Sequence, residues 1–337
     1  MVDTLNLLVQ SSEYYAPFAG GGLLTSLFEN NQDITNINIY LLTSDMSQKN
    51  RDRFLALAEQ YHRTIKFLDA NKIDKFCEEN DLHKYHGSYA PYYKIFALSV
   101  VEEDIDRLIY LDSDMIVTGS LRYLITVDLN NNILGMCIDT VSETHKKLIG
   151  VSSTYYYNTG MIVFNVKKWL EEKCMDRFVY HITNVQANYP LSEQDIVNVI
   201  LGTKIQKLPL KYNFFTELLL YNNCDFVKNV VGIKHFYSED EFIDGQKNAV
   251  IWHCFGWMCL RPWVENTDHP AKELWNSYIQ KSLWNDFVPI KQKKAFPFKV
   301  QTFLYNHLPN NIYAFVYRNI SFGLQKRRAK RAGIKQQ

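Results

Sequence analysis

In the stretch RLIYLDSDMIVTGSL (residues 107–121), the apolar run Leu108-Ile109-Tyr110-Leu111 leads into two aspartates separated by one serine. Such a run reads as the interior of a buried strand, and anionic groups at its mouth carry a desolvation cost unless a positive charge sits beside them. Asp112 and Asp114 are therefore candidate ligands for a hard divalent cation, Mn2+ or Mg2+, whose remaining positions substrate phosphates would fill. Two other readings compete. In a DxD phosphohydrolase the first aspartate is a nucleophile, but that motif normally opens its domain, and here 111 residues precede Asp112. In a simple turn, Asp bonds its own backbone, and a DxD standing alone favours that reading.

Three further segments carry residues suited to the same site. YYYNTGMIVFNVKKW (155–169) sets Asn158 and Gly160 ahead of another apolar strand, with Trp169 read as core. Glycine permits close backbone approach, and Asn offers both a donor and an acceptor. SEQDIVNVIL (192–201) reads as a helix start capped by Ser192, with Glu193, Gln194 and Asp195 in its first turn. Acidic residues there also serve merely to offset the helix dipole. AVIWHCFGWMCLRPW (249–263) brings His253 to the end of a β-like run, followed by Gly256 and Arg261-Pro262-Trp263. The triple glycine Gly20-Gly21-Gly22 lacks a following phosphate-loop register and reads as a packing or turn element.

Strands are predicted at 5–10, 37–43, 65–68 and 108–111, alternating with helices at 23–30, 47–61 and 92–101. In the middle helix Phe54, Leu57, Ala58 and Tyr61 share one face. Alternation of this kind predicts an α/β fold, a mostly parallel sheet covered on both sides, with ligands beyond the carboxyl ends of its strands. Asp112 and Asp114 fall at such an end. The pattern then becomes mixed, with strands near 133–138, 161–165, 205–208, 232–236 and 250–253 and helices near 166–185 and 193–201.

The chain has 337 residues and a formal net charge of +1, a balance that hides an asymmetry. From Phe287 to Gln337 there is no acidic residue, against eleven Lys or Arg and nine aromatics; the first 286 residues hold 26 basic and 36 acidic groups. A basic, aromatic segment ending in Lys326-Arg327-Arg328-Ala329-Lys330-Arg331 suits an anionic membrane surface. Ile312, Phe315, Val316, Ile320 and Leu324 form a rough helical stripe before that cluster. A net acidic remainder without a nucleic-acid motif argues against a nucleic-acid partner. The six scattered cysteines contain no CxxC pair and read as buried free thiols. No stretch reaches the roughly 18 to 20 apolar residues of a spanning helix, nor does the N-terminus resemble a secretory signal. The expected location is the cytoplasm, peripherally on the inner face of a bacterial cell membrane.

Taken in order, DSD after an apolar strand, NTG before the next, EQD on a helix and HxxG followed by a basic-Pro-Trp element resemble glycosyltransferase family 8. The resemblance runs from about residue 5 to residue 265. It implies a retaining enzyme of GT-A fold, a Rossmann-like mixed sheet flanked by helices, occupying 1–286, with a basic, partly helical, membrane-associating extension at 287–337. It implies a UDP-hexose donor, UDP-galactose or UDP-glucose, and Mn2+ or Mg2+ held by Asp112, Asp114 and His253. By position, Gln194 would stabilise an oxocarbenium-like centre, while Asp195, Asp139 and Asn158 would bind sugar hydroxyls. Lys94, where the family usually has Arg, would reach the donor, and Arg261, replacing the usual Lys, the diphosphate. Ser12 stands where family members carry an Asp for uracil, so base recognition is looser or uses Glu13; Tyr15, Ser113 and Gly256 complete the donor site. The acceptor would be a lipid- or protein-linked glycan in surface polysaccharide, lipopolysaccharide or glycoprotein synthesis. The other reading is a noncatalytic nucleotide-sugar or carbohydrate-binding protein of the same fold.

Overall fold

The structure, a computed structural model, describes residues 3–331 except 86, 102–103, 186–188 and 222; side chains from Arg328 onward lie outside the description. Seven strands form one sheet in the order β3-β2-β1-β4-β7-β6-β8. They are β1 (Thr4–Gln10), β2 (Asn36–Thr43), β3 (Thr64–Asp69), β4 (Arg107–Leu111), β6 (Leu134–Ile138), β7 (Tyr157–Asn165) and β8 (Ile205–Lys207). The first four pair in parallel, whereas β7 runs antiparallel to both β4 and β6. The alternation of strand side chains divides the interior in two. Leu8, Leu108 and Tyr110 pack on one face, and Leu7, Val9, Ile109 and Leu111 on the other, as the two-residue period of a strand requires.

A small sheet of β5 (Met115–Val117), β9 (Phe214–Phe215) and β10 (Ile251–His253) closes over the end of β4. Its strands are three residues or fewer, too short to announce themselves by periodicity. Along β10, His253 lies opposite Met115 and beside Phe215, which fixes the histidine next to the DSD segment.

The triple glycine is a packing device. It lies in a π-helical turn, Pro17–Leu24. A Cβ on Gly20 would stand 2.2 Å from the Trp284 ring, and one on Gly21 2.2 Å from Ile279 Cδ1. Such separations are far inside van der Waals contact.

Three local expectations are corrected. The segment 232–236 is not a strand: Gly232 has φ +79° and ends the helix Cys224–Val231, a left-handed cap that glycine adopts without strain. The helix expected over 166–185 is two, Val166–Glu171 and Cys174–Val185, parted by Lys173 at φ +48°. Ser192 is not the cap of its helix. Leu191 is, and the Leu191 N–H donates to Asp195 Oδ2 at 2.9 Å.

The C-terminal segment folds into helices Phe296–His307 and Asn310–Arg331, which pack on the rest of the chain. Tyr313 and Ala314 are buried in the core. Tyr313 hydrogen-bonds Tyr221 at 2.8 Å, Tyr305 Oη donates to the Leu220 carbonyl at 2.9 Å, and Thr302 Oγ1 donates to the Met258 carbonyl at 3.0 Å. The opposite side exposes Phe296, Phe303, Phe315 and Ile320. Among the described residues no helix is long and apolar enough to cross a membrane, and all six cysteines are free and buried.

Candidate active site

Four chain segments converge where β1 and β4 end. Their wall encloses a cavity of about 740 Å3 lined by Ser12, Tyr15, Lys94, Asp112, Ser113, Asp114, Glu193 and Arg261. A contiguous pocket of about 320 Å3 adds Asn158, Gln194 and His253. The location follows from topology: β1 has β2 on one side and β4 on the other, and sheets of this kind open a crevice where strand order reverses.

The DSD segment is held rigidly. The Asp112 N–H donates to the Gly160 carbonyl at 2.8 Å, Ser113 Oγ donates to the Gln10 carbonyl, and the Cys254 N–H donates to the Asp114 carbonyl at 2.8 Å. One oxygen of Asp112 accepts from Lys94 Nζ at 3.0 Å and from Tyr110 Oη at 2.5 Å. Its other oxygen lies 3.8 Å from His253 Nε2, which is 3.3 Å from Asp114 Oδ1. Arg261 reaches Asp114 Oδ2 at 3.5 Å and donates to Tyr15 Oη at 3.3 Å.

These contacts leave Asp112 Oδ2, Asp114 Oδ1 and His253 Nε2 facing one point, and ligand atoms of the three residues fall within 4.8 Å of one another. The histidine is oriented for the task. Asn213 Nδ2 donates to Asn158 Oδ1 at 2.8 Å, so Asn213 Oδ1 is the acceptor facing His253 Nδ1 at 3.1 Å. Nδ1 donates to Asn213, and this bond fixes the ring with Nε2 toward the carboxylates, the second-sphere arrangement that ligating histidines use. Two carboxylates and one imidazole form a donor set that fits a divalent cation. Gly160 makes room for the ring: a Cβ there would stand 2.4 Å from His253 Cε1.

Burial would raise the Asp114 carboxyl, but His253 and Arg261 outweigh it and hold that group well below the usual range. Lys94 is buried, which disfavours its charge, yet Asp112, Tyr110 and Glu193 push it well above the ordinary lysine value. It bridges Asp112 to Glu193 at 3.3 Å and donates to the Thr159 carbonyl. Burial raises Glu193 against the pull of Lys94.

Beyond Asp112, Asp114 and His253 lies a polar lattice. Asp139 Oδ2 accepts from Gln194 Nε2 at 2.8 Å and Asn158 Nδ2 at 3.0 Å, while Gln194 Oε1 accepts the Thr159 N–H at 3.1 Å. Burial lifts the Asp139 carboxyl, and the bonds from Asn158, Thr140 and Gln194 oppose it. The amide of Gln194 is thereby locked in one orientation.

The structure places Asp195, Gly256 and Glu13, all expected at the site, away from the main cavity. Asp195 is fully buried behind Gln194, its oxygens engaged by Tyr156 Oη at 2.5 Å, His145 Nε2 at 2.8 Å and the Leu191 N–H. It lines neither pocket and supports the Gln194 helix from behind. Gly256 is exposed and borders a neighbouring cavity instead of the main one, with four residues between it and Arg261. Glu13 is likewise absent from the cavity wall, and its carboxylate accepts from the Ser47 N–H and Oγ, both at 2.9 Å.

Tyr110, Asn213 and Glu217 escaped sequence reasoning. Tyr110 and Asn213 sit inside apolar or mixed runs with no motif around them. Glu217, next to Thr216, accepts from Thr140 Oγ1. Burial, with Asp139 adding to it, pushes Glu217 up to about 8 against the Thr140 bond. A carboxyl raised on folding stabilises the protein below its unfolded value of 4.5, and that stabilisation is lost as pH rises toward 8. Glu217→Gln should therefore raise the melting temperature at pH 8.5 relative to wild type by more than it does at pH 5. An equal difference at both pH values would contradict this.

Residues 6–266 match the family model described as Glycosyl transferase family 8. Over 296 residues the chain is 24% identical to the lipopolysaccharide 1,2-glucosyltransferase of Escherichia coli strain K12, covering 86% of this chain and 80% of that one. The galactosyltransferase LgtC, solved with donor and acceptor sugar analogues, superposes with a TM-score of 0.64 at 22% identity over 83% of this chain and 96% of LgtC. The apo bifunctional glycosyltransferase WbbM gives a TM-score of 0.69 at 22% identity over 85% of this chain, which spans about half, 51%, of WbbM. Identities this low establish the shared GT-A fold alone. The family model, by contrast, spans most of the sequence and includes the DSD, NTG, EQD and histidine segments, so this protein belongs to glycosyltransferase family 8.

Proposed function

We propose that the protein is a retaining, metal-dependent hexosyltransferase that moves galactose or glucose from a UDP-sugar to a glycan acceptor. The convergence of Asp112, Asp114 and His253 at the mouth of a donor-sized cavity carries this reading. A divalent metal bound by those residues would act as a Lewis acid toward the charge developing on the leaving diphosphate. Arg261 supplies a fixed positive charge on the same side, and Ser12, Tyr15 and Ser113 line the nucleotide end. Lys94 and Glu193 face the hexose, with Asn158 and Asp139 binding its hydroxyls directly or through Gln194. Gln194, oriented by Asp139 and Thr159, presents its amide dipole beneath the anomeric carbon.

Retention without a carboxylate nucleophile requires the acceptor to enter on the face the diphosphate leaves. The engaged, fully buried carboxylate of Asp195 supports that route. The C-terminal segment 287–337 would hold the enzyme on the anionic inner face of a bacterial membrane, where a lipid- or protein-linked glycan is extended. The exposed aromatics of its two helices support this; nucleic acid has no place in it. Hydrolysis of a UDP-α-hexose without acceptor, followed by proton NMR, should give the α-hexose first, and a β-hexose would contradict retention.

A further inference from the structure

A second cavity, of about 380 Å3, lies beside the donor pocket. It forms where the 256–261 loop meets the acid-free segment after Phe287, and Trp257, Arg261, Trp263, Lys293, Lys294 and Phe298 stand in its wall. No residue lining it is acidic. Lys294 has one carboxylate neighbour, Asp268 at 3.4 Å, which is largely exposed; such a pair is weak and screened. Lys293 is exposed.

The loop that builds this wall is firmly seated. Met258 is buried, its carbonyl accepts from Thr302 and its sulfur from Tyr313 Oη, while the Leu260 carbonyl accepts from Thr267 Oγ1 at 2.8 Å. Arg261 is the partition. It lines both cavities, reaching toward Tyr15 and Asp114 in one and lying over the Trp263 ring at 5.4 Å.

We propose that this cavity is an anion subsite for a phosphate ester carried by the acceptor. Lys293 and Lys294 are its charge partners, and Trp257 and Phe298 contact the apolar or sugar portion next to the phosphate. Cations gathered in a concave wall without carboxylates concentrate anions, and charge-assisted bonds to phosphate are the stronger kind. The cavity volume falls in the range of about 300 to 1,000 Å3 common for small-ligand sites. Its position next to Arg261 sets the acceptor beside the departing diphosphate, where same-face transfer needs it. The word acceptor rests on the transferase reading; the binding does not. The phosphate could belong to the glycan itself or to its lipid carrier.

The test is intrinsic tryptophan fluorescence of the full chain, with UDP and Mn2+ saturating the donor pocket, titrated with sn-glycerol 3-phosphate and, separately, with phosphatidylglycerol or phosphatidylcholine vesicles. Glycerol is the uncharged control. A saturable response to glycerol 3-phosphate, weakened about tenfold or more in Lys293→Ser/Lys294→Ser as two charge-assisted contacts are lost, supports a soluble phosphate source. A response only to phosphatidylglycerol vesicles, lost in the same variant, supports a lipid source. UDP affinity should be unchanged in the variant, which separates this subsite from the donor site. No saturable response to either probe, or one indifferent to the double substitution, overturns the proposal.

Discussion

Asp114→Asn should abolish metal-dependent turnover of the donor while leaving the protein folded. The substitution keeps shape and the backbone acceptor for Cys254, and the ladder between β5 and β10 is untouched. What it removes is one of two negative charges in a three-residue ligand set. Loss of a Lewis acid aimed at the leaving group is expected to cost several kcal/mol, on the order of a thousandfold in rate. Added Mn2+ should raise the melting temperature of the wild type but not of the variant. Full activity in Asp114→Asn would remove the metal assignment, and a collapsed melting curve would instead assign Asp114 a structural role.

The C-terminal helices should prove double-sided. Deleting residues 287–337 strips Tyr313 and Ala314 from the core and leaves Tyr221 and Met258 uncovered. Loss of one buried aromatic costs about 3 to 5 kcal/mol, and each kcal/mol lowers the midpoint of a domain near this size by roughly 2 to 4 °C. A fall of about 10 °C or more is therefore expected. Phe303→Ser/Phe315→Ser/Ile320→Ser changes only exposed positions. It should melt close to wild type and lose binding to phosphatidylglycerol vesicles in low salt. If the triple variant binds vesicles as wild type does, the membrane role fails even though the core role stands.

Most strands of the large sheet were legible because they carry a short apolar run, such as Ile39–Leu42, Leu108–Leu111 and Met161–Phe164, the pattern of a sheet buried on both faces. The same rule hid β5. Met115-Ile116-Val117 follows Asp114 directly, and three residues give no period to read. The clustering of Asp112, Asp114 and His253 was legible because their types are chemically unusual at strand ends. The lattice behind them was not, since it depends on distant chain segments meeting: Asn213 on His253, Gln194 on Asp139, Glu217 on Thr140. Gly160 looked like a place for a ligand to approach the backbone, yet its missing Cβ admits the His253 ring. Asp195 looked like a sugar contact because it neighbours Gln194. Helical geometry turns adjacent side chains about 100° apart, and here one faces the pocket while the other is sealed against His145 and Tyr156.

The most direct measurement is nucleoside diphosphate release by the wild-type protein from UDP-galactose, UDP-glucose and, as a control, GDP-mannose, each with Mn2+, Mg2+ or EDTA. The account predicts that one UDP-hexose is consumed with a divalent metal, that EDTA stops the reaction, and that GDP-mannose is left intact. Release that persists undiminished in EDTA, or a protein that neither turns over a UDP-hexose nor gains melting temperature with UDP and Mn2+, would contradict it.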